Sequence, residues 1–357
     1  MAFPSDAGWS NLPNGNFSSV IYSKKVQLEF RKATVCGAIT NSDYFGEISQ
    51  MGDSVRIIKE PEITVTPLER GTPIQVQDLQ DDDFTLVVDQ ANYFNFQVDD
   101  IEKQQAHNNW MDLASNRAAY RLADQHDAEV LGYLSGYAQS AVSTNADTVN
   151  TTPNGTKADV NADNDELLPE NKLDRTAFGT ISTGSSAGDS IPVAPRLPGQ
   201  TALATNHVSP NQIVARMGRL LDQKFVDKAG RWLVIDPVMM EVMQDEDSRF
   251  LNADWGDSGG LRNGLVLNNW NGFRVYMSNN LPVVGTGAGT PDVASQSDNY
   301  GVIVAGHDSA VATAEQINNT ETYRSHDTFA DVVRGMHLYG RKILRPEALV
   351  TARYNIA

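Results

Sequence analysis

The segment from Asp99 to Ala138 reads DDIEKQQAHNNWMDLASNRAAYRLADQHDAEVLGYLSGYA, and the other segments of the chain are arranged around it. Asp99 is a typical N-cap, and Glu102 three residues later completes the spacing of a capping box. Apolar residues then recur at steps of three and four, which predicts one long amphipathic helix. The stripe comprises Ala106, Trp110, Leu113, Ala114, Ala118 and Leu122 and, after the polar turn 125–127, Val130, Leu131 and Leu134. About 40 helical residues would extend roughly 60 Å, which suits an elongated subunit.

The composition indicates a folded protein with one large core or two domains. The chain has 357 residues, of which 40% are apolar, and such a chain can bury a sizeable core. No segment resembles a membrane span or a signal peptide, so we expect a protein that is made and kept in the cytosol, without a membrane partner. Cys36 is the only cysteine, which excludes an internal disulfide and predicts a buried or inert thiol.

The charge is strongly acidic, with 28 Lys and Arg against 45 Asp and Glu and a net charge of -17. This balance argues against a protein that grips nucleic acid by neutralising its phosphates. Two interpretations remain open. An acidic wall could line a container of DNA and let the polymer slide past it, or the charge could serve only the solubility of an acidic cytosolic protein.

The segments before the helix predict an arm and a projecting hairpin. Residues 1–43 are turn-rich at the start and lack periodicity, so we expect them to be disordered or ordered by a neighbouring surface. From Gly52 to Leu79, apolar residues alternate in three pairs, which predicts short strands separated by prolines and a glycine. The pairs are Val55 with Ile57, Ile63 with Val65, and Ile74 with Val76. Such a hairpin cannot bury both of its faces against its own subunit, so we expect another subunit to cover it.

The rest of the chain predicts α+β structure. A second helix is predicted by a capping box, formed by Ser209 and Gln212, with Pro210 at the first helical position. Its buried stripe should comprise Ile213, Met217, Leu220 and Leu221. A short helix should follow Asp236 and extend to about Met243. Strands are predicted at 84–88, 94–98, 231–235, 265–267, 273–277, 300–304, 332–344 and 348–354. The polar stretch from Tyr137 to about His207 is interpreted as irregular surface structure that could contain a hairpin around 178–191.

One motif resembles a catalytic site. Residues 256–260 read GDSGG, the pentapeptide around the nucleophile of chymotrypsin-like serine proteases, which would make Ser258 a nucleophile. None of the six histidines lies in that family's Ala-Ala-His-Cys setting, and the long predicted helix contradicts its two β-barrels. A flexible glycine turn is therefore the favoured interpretation.

The other candidate sites have simpler explanations. The glycines of 285–289 lack the helix and acidic residue of a dinucleotide loop. His107 and His126 are too widely spaced for one metal site, and Asp81–Asp83 lacks the pattern of a calcium loop. Acidic neighbours offset Lys103, Arg117 and Arg121, which favours ion pairing along a solvated or intersubunit face. Those neighbours are Glu102, Asp112, Asp124, Asp127 and Glu129. We therefore predict no catalytic, cofactor-binding or metal-binding residues and no enzymatic activity.

Five short stretches carry a family resemblance through their order and spacing. They are GDSVRI (52–57), FNFQVDDIEKQ (94–104), RWLVIDP (231–237), WNGFRVYMSNNLP (270–282) and YGRKILRPE (339–347). Together they resemble the major capsid proteins of tailed bacteriophages, which have the Hong Kong 97-type fold, and the resemblance covers nearly the whole chain.

The resemblance implies an α+β subunit with a defined order of parts. These are an N-terminal arm (1–43), an extended β-hairpin loop (44–82), a peripheral domain with the spine helix (83–140), a polar insertion or loop (141–204), a peripheral-domain helix (205–232), an axial domain (233–324) and the C-terminal strands of the peripheral domain (325–357). Some relatives crosslink subunits through a lysine and an asparagine, but Lys59 and the asparagines here match no such pattern. No crosslink is therefore expected.

The resemblance also implies a function. Copies of the chain would assemble as pentamers and hexamers into the icosahedral head shell of a tailed phage, in the host cytoplasm, and enclose double-stranded DNA without reading its sequence. The arm is too short to include a scaffolding segment, which implies a separate scaffolding protein. A portal protein is a further implied partner and a decoration protein an optional one. An encapsulin-like shell around protein cargo is the alternative, and the long insertion and arm favour the phage.

Overall fold

The computed structural model describes residues 34–43, 54–58, 63–67, 70–71, 76–77, 83–101, 110–136, 167–178, 190–194, 207–244, 270–284 and 300–356. Its helices in these ranges are α1 (Cys36–Ile39), α2 (Trp110–Ser135), α3 (Pro210–Gln223) and α4 (Pro237–Gln244). The strands are β1 (Ser54–Ile58), β2 (Asp83–Asp99), β3 (Lys172–Leu173), β4 (Ile191–Val193), β5 (Arg231–Ile235), β6 (Arg274–Met277), β7 (Val283–Val284), β8 (Tyr300–His307), β9 (Val311–Arg324), β10 (Ala330–Ile343) and β11 (Leu349–Ile356). Three 3-10 helices lie at Pro169–Asn171, Arg175–Phe178 and Pro346–Ala348.

The first sheet contains the long strands. Within the described ranges its order is β1-β2-β10-β9, and every pair in it is antiparallel. β2 runs without interruption through 17 residues. The sequence predicted two strands, 84–88 and 94–98, and this division is wrong because the polar residues between them pair with β10, as Gln90 does with Tyr339. The pairing partner, which is remote in sequence, makes the strand continuous.

The second sheet forms the centre of the core. Its order is β3-β11-β8-β5-β6, with β4 paired to β11 and β7 to β8 among the described strands. All five residues of β5 are buried, because both faces of the strand are covered. Leu233 and Ile235 pack into one cluster with Met217 of α3. Trp232 and Val234 pack on the opposite face into a cluster with residues of α1, α2 and β10.

The long helix is confirmed over residues 110–135. Asp99 ends β2 and its carboxylate accepts the Ile101 N–H at 3.2 Å, while Glu102 and Ala106 lie outside the described residues. The helix ends at Ser135, before the predicted end at Ala138. Gly136 has a φ of 89°, a left-handed conformation that commonly terminates a helix.

The second helix is confirmed with its capping box. The Ser209 hydroxyl accepts the Gln212 N–H, and the Gln212 side chain accepts the Ser209 N–H. Ile213, Met217 and Leu221 are fully buried as predicted. The Asp236 carboxylate accepts the Met239 N–H at 3.1 Å and caps α4. The strand predicted at 231–235 is present with the predicted ends. Those predicted at 273–277, 300–304, 332–344 and 348–354 are present with shifted ends, and 265–267 lies outside the described residues.

Two parts of the chain differ from their prediction. β9 was not predicted, because most of its residues after Ala314 are polar and show no apolar alternation. The last part of the predicted arm packs onto the subunit's own core, where Val35, Cys36 and Ile39 are buried. Asn41 forms a parallel bridge with Ala312. These residues find apolar partners on α2 and β10, so they need no neighbouring subunit; residues 1–33 lie outside the described ranges.

Candidate assembly surface

The base of the extended loop is an antiparallel pair, and its described outer segments are apolar and exposed. β1 pairs with β2 from Ser54 opposite Val87 to Ile58 opposite Asp83. Farther out, Ile63, Val65 and Val76 are exposed by 66%, 90% and 95%. Contact between apolar groups and water is unfavourable, and covering these groups with another surface lowers the free energy. This part of the extended loop therefore offers contact area to a partner.

The predicted strand at Ile63–Val65 is wrong. The Thr64 N–H donates to the side-chain oxygen of Gln77 at 3.1 Å and does not join a ladder, and Val76 is not in a strand. A strand needs a second backbone beside it, which the period-two pattern alone cannot supply. The strand predicted at Ile74–Val76 can be judged only at Val76, since Ile74 lies outside the described residues.

The outer face of the first sheet is a second exposed surface. The register places Tyr93 directly opposite Met336 and Val332 opposite Tyr323, so these side chains share one face. Tyr93 is exposed by 81%. The Arg334 guanidinium lies 4.9 Å from the centre of the Tyr323 ring and pairs with Glu321. This face presents two tyrosines, a methionine and an arginine, which are residue types enriched at protein contacts.

The inner face of the same sheet is joined to α2 by a polar cluster. The Glu129 carboxylate accepts hydrogen bonds from Asn92 at 2.9 Å, from Gln125 at 2.7 Å and from the Tyr339 hydroxyl. The Arg341 guanidinium donates to the Glu129 backbone oxygen at 2.7 Å. The side chain and the backbone oxygen of Glu129 therefore hold α2 against β2 and β10.

His126 lies beside this cluster. Its ring centre is 4.5 Å from that of Tyr339 and 5.1 Å from that of His337, both in edge-on geometry. Its Nε2 is buried and has no hydrogen-bond partner in the described structure. Burial lowers the pKa of His126 to about 4, and the nearby His337 adds to the effect. His337 in turn pairs with Glu315 at 3.3 Å, and His337 holds the pKa of Glu315 below its ordinary value.

A second polar cluster joins α2 to the segment before β1. One oxygen of Asp127 accepts the N–H groups of Val35 and Cys36, both at 2.7 Å. The other oxygen accepts from Asn280 at 2.9 Å, and Asn280 also donates to Asp124 at 2.9 Å. Burial raises the pKa of Asp127. Both acids were predicted on a solvated or intersubunit face; they are buried instead, although Arg121 does pair with Asp124 at 3.2 Å.

The remaining candidates fall into three groups. The first group lies outside the described residues and comprises GDSGG with Ser258, the glycines of 285–289, His107, Asp81 and Asp82. Asp83 pairs with Arg56 at 3.4 Å. Cys36 is buried as predicted, and burial raises the pKa of its thiol to about 12. Among the described residues, no group of three or more His, Cys, Asp or Glu is placed to hold a metal ion.

The described helices include none that is long and apolar enough to cross a membrane.

Comparison with solved structures gives near full-length matches. A structure of Mycobacterium phage Che8 is 23% identical, covers 94% of this chain and 97% of its own, and has a TM-score of 0.65. The capsid structure of cyanophage P-SCSP1u is 16% identical, with coverages of 97% and 96% and a TM-score of 0.61. The capsid of Ralstonia phage GP4 is 12% identical, with coverages of 96% and 97% and a TM-score of 0.60. No protein-family model and no curated protein sequence matches the chain.

The chain has the Hong Kong 97-type capsid fold. The fold predicted from the order of the five short stretches is thereby confirmed.

Sequence reasoning missed two features of this capsid fold. Asp127 was placed on a solvated or intersubunit face because it is one of the acids that offset the basic residues of the long helix. His126 was treated as a helix-face residue, whereas it packs against the strand that carries His337 and Tyr339. A polar residue at a position expected to be apolar was the available signal, since such a residue is buried only when it has a partner.

Proposed function

We propose that the chain is the major capsid protein of a tailed bacteriophage, which assembles as pentamers and hexamers into an icosahedral head shell around packaged double-stranded DNA. The observation that carries this proposal is the capsid fold, matched over more than nine-tenths of both chains in the structures named above. The exposed apolar residues of the extended loop support it, because they are suited to contact between copies.

The proposed relation to DNA is enclosure without sequence reading. The net charge of -17 disfavours tight binding to phosphates, and several arginines are engaged by acids of the same chain. Arg231 pairs with Asp222 at 2.7 Å, and Arg324 pairs with Asp100 and Asp331. A weakly interacting, acidic wall is compatible with DNA that is moved during packaging.

The division into arm, extended loop, peripheral and axial domains is part of this proposal. The two sheets support two structural units. Individual strands cross the proposed boundaries, however, because β9 from the axial range pairs with β10, and β11 from the C-terminal range pairs with β8.

The proposed partners are further copies of the chain, a separate scaffolding protein, a portal protein and, as an option, a decoration protein. The proposed location is the virion, after assembly in the host cytoplasm. The role is structural and non-catalytic. The encapsulin alternative has less support, since all three matched structures above come from phages and two of them are phage capsids.

Assembly of the purified protein tests this proposal. The chain is expressed alone and with the scaffolding protein encoded beside it, and the products are examined by sedimentation velocity and electron microscopy. We expect closed icosahedral shells in at least one condition. Subunits that remain monomeric in every condition would overturn the proposal, and particles from infected cells that contain protein cargo but no DNA would favour the encapsulin alternative.

A further inference from the structure

Helix α3 ends in an unusual way. The Val226 N–H donates to the Leu221 carbonyl at 3.1 Å, and the Phe225 N–H donates to the Asp222 carbonyl at 3.2 Å. These two bonds form a Schellman motif, in which the residue after the C-cap takes a left-handed conformation. Glycine is usual at that position because it lacks a Cβ. Here the position is occupied by Phe225, with a φ of 59°.

Phenylalanine at this position is strained, and the described structure offers it no internal compensation. The one other non-glycine residue with positive φ in the described ranges is Asn271, and asparagine tolerates this conformation better than an aromatic residue does. Phe225 is exposed by 97%, so its ring gains almost nothing from the fold. Its neighbour Val226 instead packs against the core. Backbone strain that no contact within the fold offsets is typical of residues that serve a function.

A groove lies beside Phe225. Its volume is about 660 Å³, and its apolar wall is formed by Ile57 and Ile58 at the base of the extended loop and by Leu344, Pro346 and Ala348 before β11. Ile58 is largely exposed. The exposed ring and the apolar groove thus form one continuous patch.

The rim of this groove bears both signs of charge. Arg345 is cationic, and Asp227 and Glu347 are anionic; all three are exposed, while Lys224, also at the rim, pairs with Glu170 of the same chain. A two-fold axis would place this patch of two copies face to face, so that the ring of each copy can meet the groove of the other and a cation of each can meet an anion of the other. A second copy of this chain is therefore the occupant that fits.

We propose that Phe225 is an assembly anchor, which seats in the groove beside Ile58 of a second copy while the second copy's ring seats in the first. The proposal rests on the proposed shell function and deepens it by assigning one contact. A buried aromatic at the centre of a contact is the kind of residue that dominates binding free energy.

Substitution of Phe225 separates an assembly role from a structural one. Phe225→Gly and Phe225→Asn relieve the strain and remove the ring, so we expect a thermal midpoint of the unassembled subunit that is equal to or higher than that of the wild type. We expect the assembled fraction at fixed subunit concentration to fall at least tenfold. Phe225→Tyr, which retains an aromatic ring, should assemble within about twofold of the wild type.

The outcomes are distinguishable. If the wild type assembles and Phe225→Gly and Phe225→Asn assemble equally well, the anchor role of Phe225 is overturned and the proposed shell function remains. A wild type that never assembles would overturn both. A lower thermal midpoint for both variants would also overturn the proposal, because it would assign Phe225 to the fold.

Disulfide trapping tests the location of the contact. Copies with Phe225→Cys are mixed with differently tagged copies with Ile58→Cys, assembled and oxidised. We expect a disulfide that joins the two tags. The matched control replaces Ile58→Cys by His326→Cys, an exposed site in the turn between β9 and β10, and should give no such product. Equal trapping with both partners, or none with Ile58→Cys, would overturn the assigned groove. The native Cys36 is buried.

Discussion

At the scale of single residues, buried polar groups connect distant segments of this chain. Asp127 supplies acceptors to two backbone N–H groups and one amide that come from segments far from it in sequence. Such groups are costly to bury without partners, so each bond keeps a pair of segments together. Glu129, on the same helix, connects it to β2 and β10 in a similar way, and the His126 ring packs against His337 and Tyr339 of β10.

Acid should destabilise the subunit through His126. The folded-state pKa is about 4 and the ordinary value is 6.5, so between these values the unfolded chain binds a proton that the folded chain does not. Stability is therefore full above pH 6.5, falls as the pH drops towards 4, and loses about 3 kcal/mol over this window. Denaturant unfolding of unassembled subunits at several pH values measures the loss.

Comparison of two variants isolates this contribution. Glu315, whose pKa is lowered, loses its contribution at lower pH, whereas Asp127 and Asp236, whose pKa values are raised by burial, act in the opposite direction. His126→Gln should flatten the fall between pH 6.5 and 4, and His326→Gln, at an exposed position, should leave it unchanged. Identical pH profiles for the two variants would contradict the assignment.

At the scale of elements, the long strands depend on close backbone contact. β2 and β10 pair along most of their length, and the register shifts between Tyr339 and Gly340. A Cβ on Gly340 would lie 2.3 Å from the Val87 carbonyl oxygen, which belongs to the backbone and cannot rotate away. The glycine is therefore required by the packing of two strands, a requirement that its local sequence does not reveal.

Gly340→Ala should disrupt this pairing. We expect a loss of about 2 kcal/mol or more in the free energy of unfolding, because the backbone must shift to relieve the overlap. Chemical denaturation of the unassembled subunit measures it. Gly37→Ala is the matched control, since a Cβ on Gly37 meets no atom within 4 Å, and it should be neutral or stabilising by about 0.5–1 kcal/mol. Equal effects of the two substitutions would contradict the steric argument.

At the scale of the whole molecule, the described end of the predicted arm belongs to the core, and the assembly role proposed for the arm is left to residues 1–30. Residues 34–43 complete the core through Val35, Cys36 and Ile39 and through the bonds to Asp127. Ile63, Val65 and Val76 of the extended loop, in contrast, are exposed, and in the proposed shell other copies would cover them. A subunit can therefore fold with a complete core and still present surfaces that only assembly covers.

Two truncations test this division. Deletion of residues 1–30 should leave the thermal midpoint of the subunit nearly unchanged and should reduce the yield of shells. Deletion of residues 1–43 should abolish cooperative unfolding, because it removes three buried apolar side chains and leaves Asp127 without two of its donors. Circular dichroism and electron microscopy give the two readouts.

Either result could contradict the division. Normal shells from the shorter deletion would reject an assembly role for residues 1–30. A cooperative unfolding transition in the longer deletion would show that residues 34–43 are not part of the core.

Three features could be predicted because their signals are local: the capping box at Ser209, the apolar stripe of the spine helix and the strand β5. These follow from hydrogen bonds and side-chain spacings within a few residues. Four other features become visible only in the folded chain: the continuity of β2, the polar strand β9, the burial of Asp127 and the exposed, left-handed Phe225. Each of these features depends on whether a residue or strand remote in the sequence lies beside it. A local sequence pattern does not contain that information.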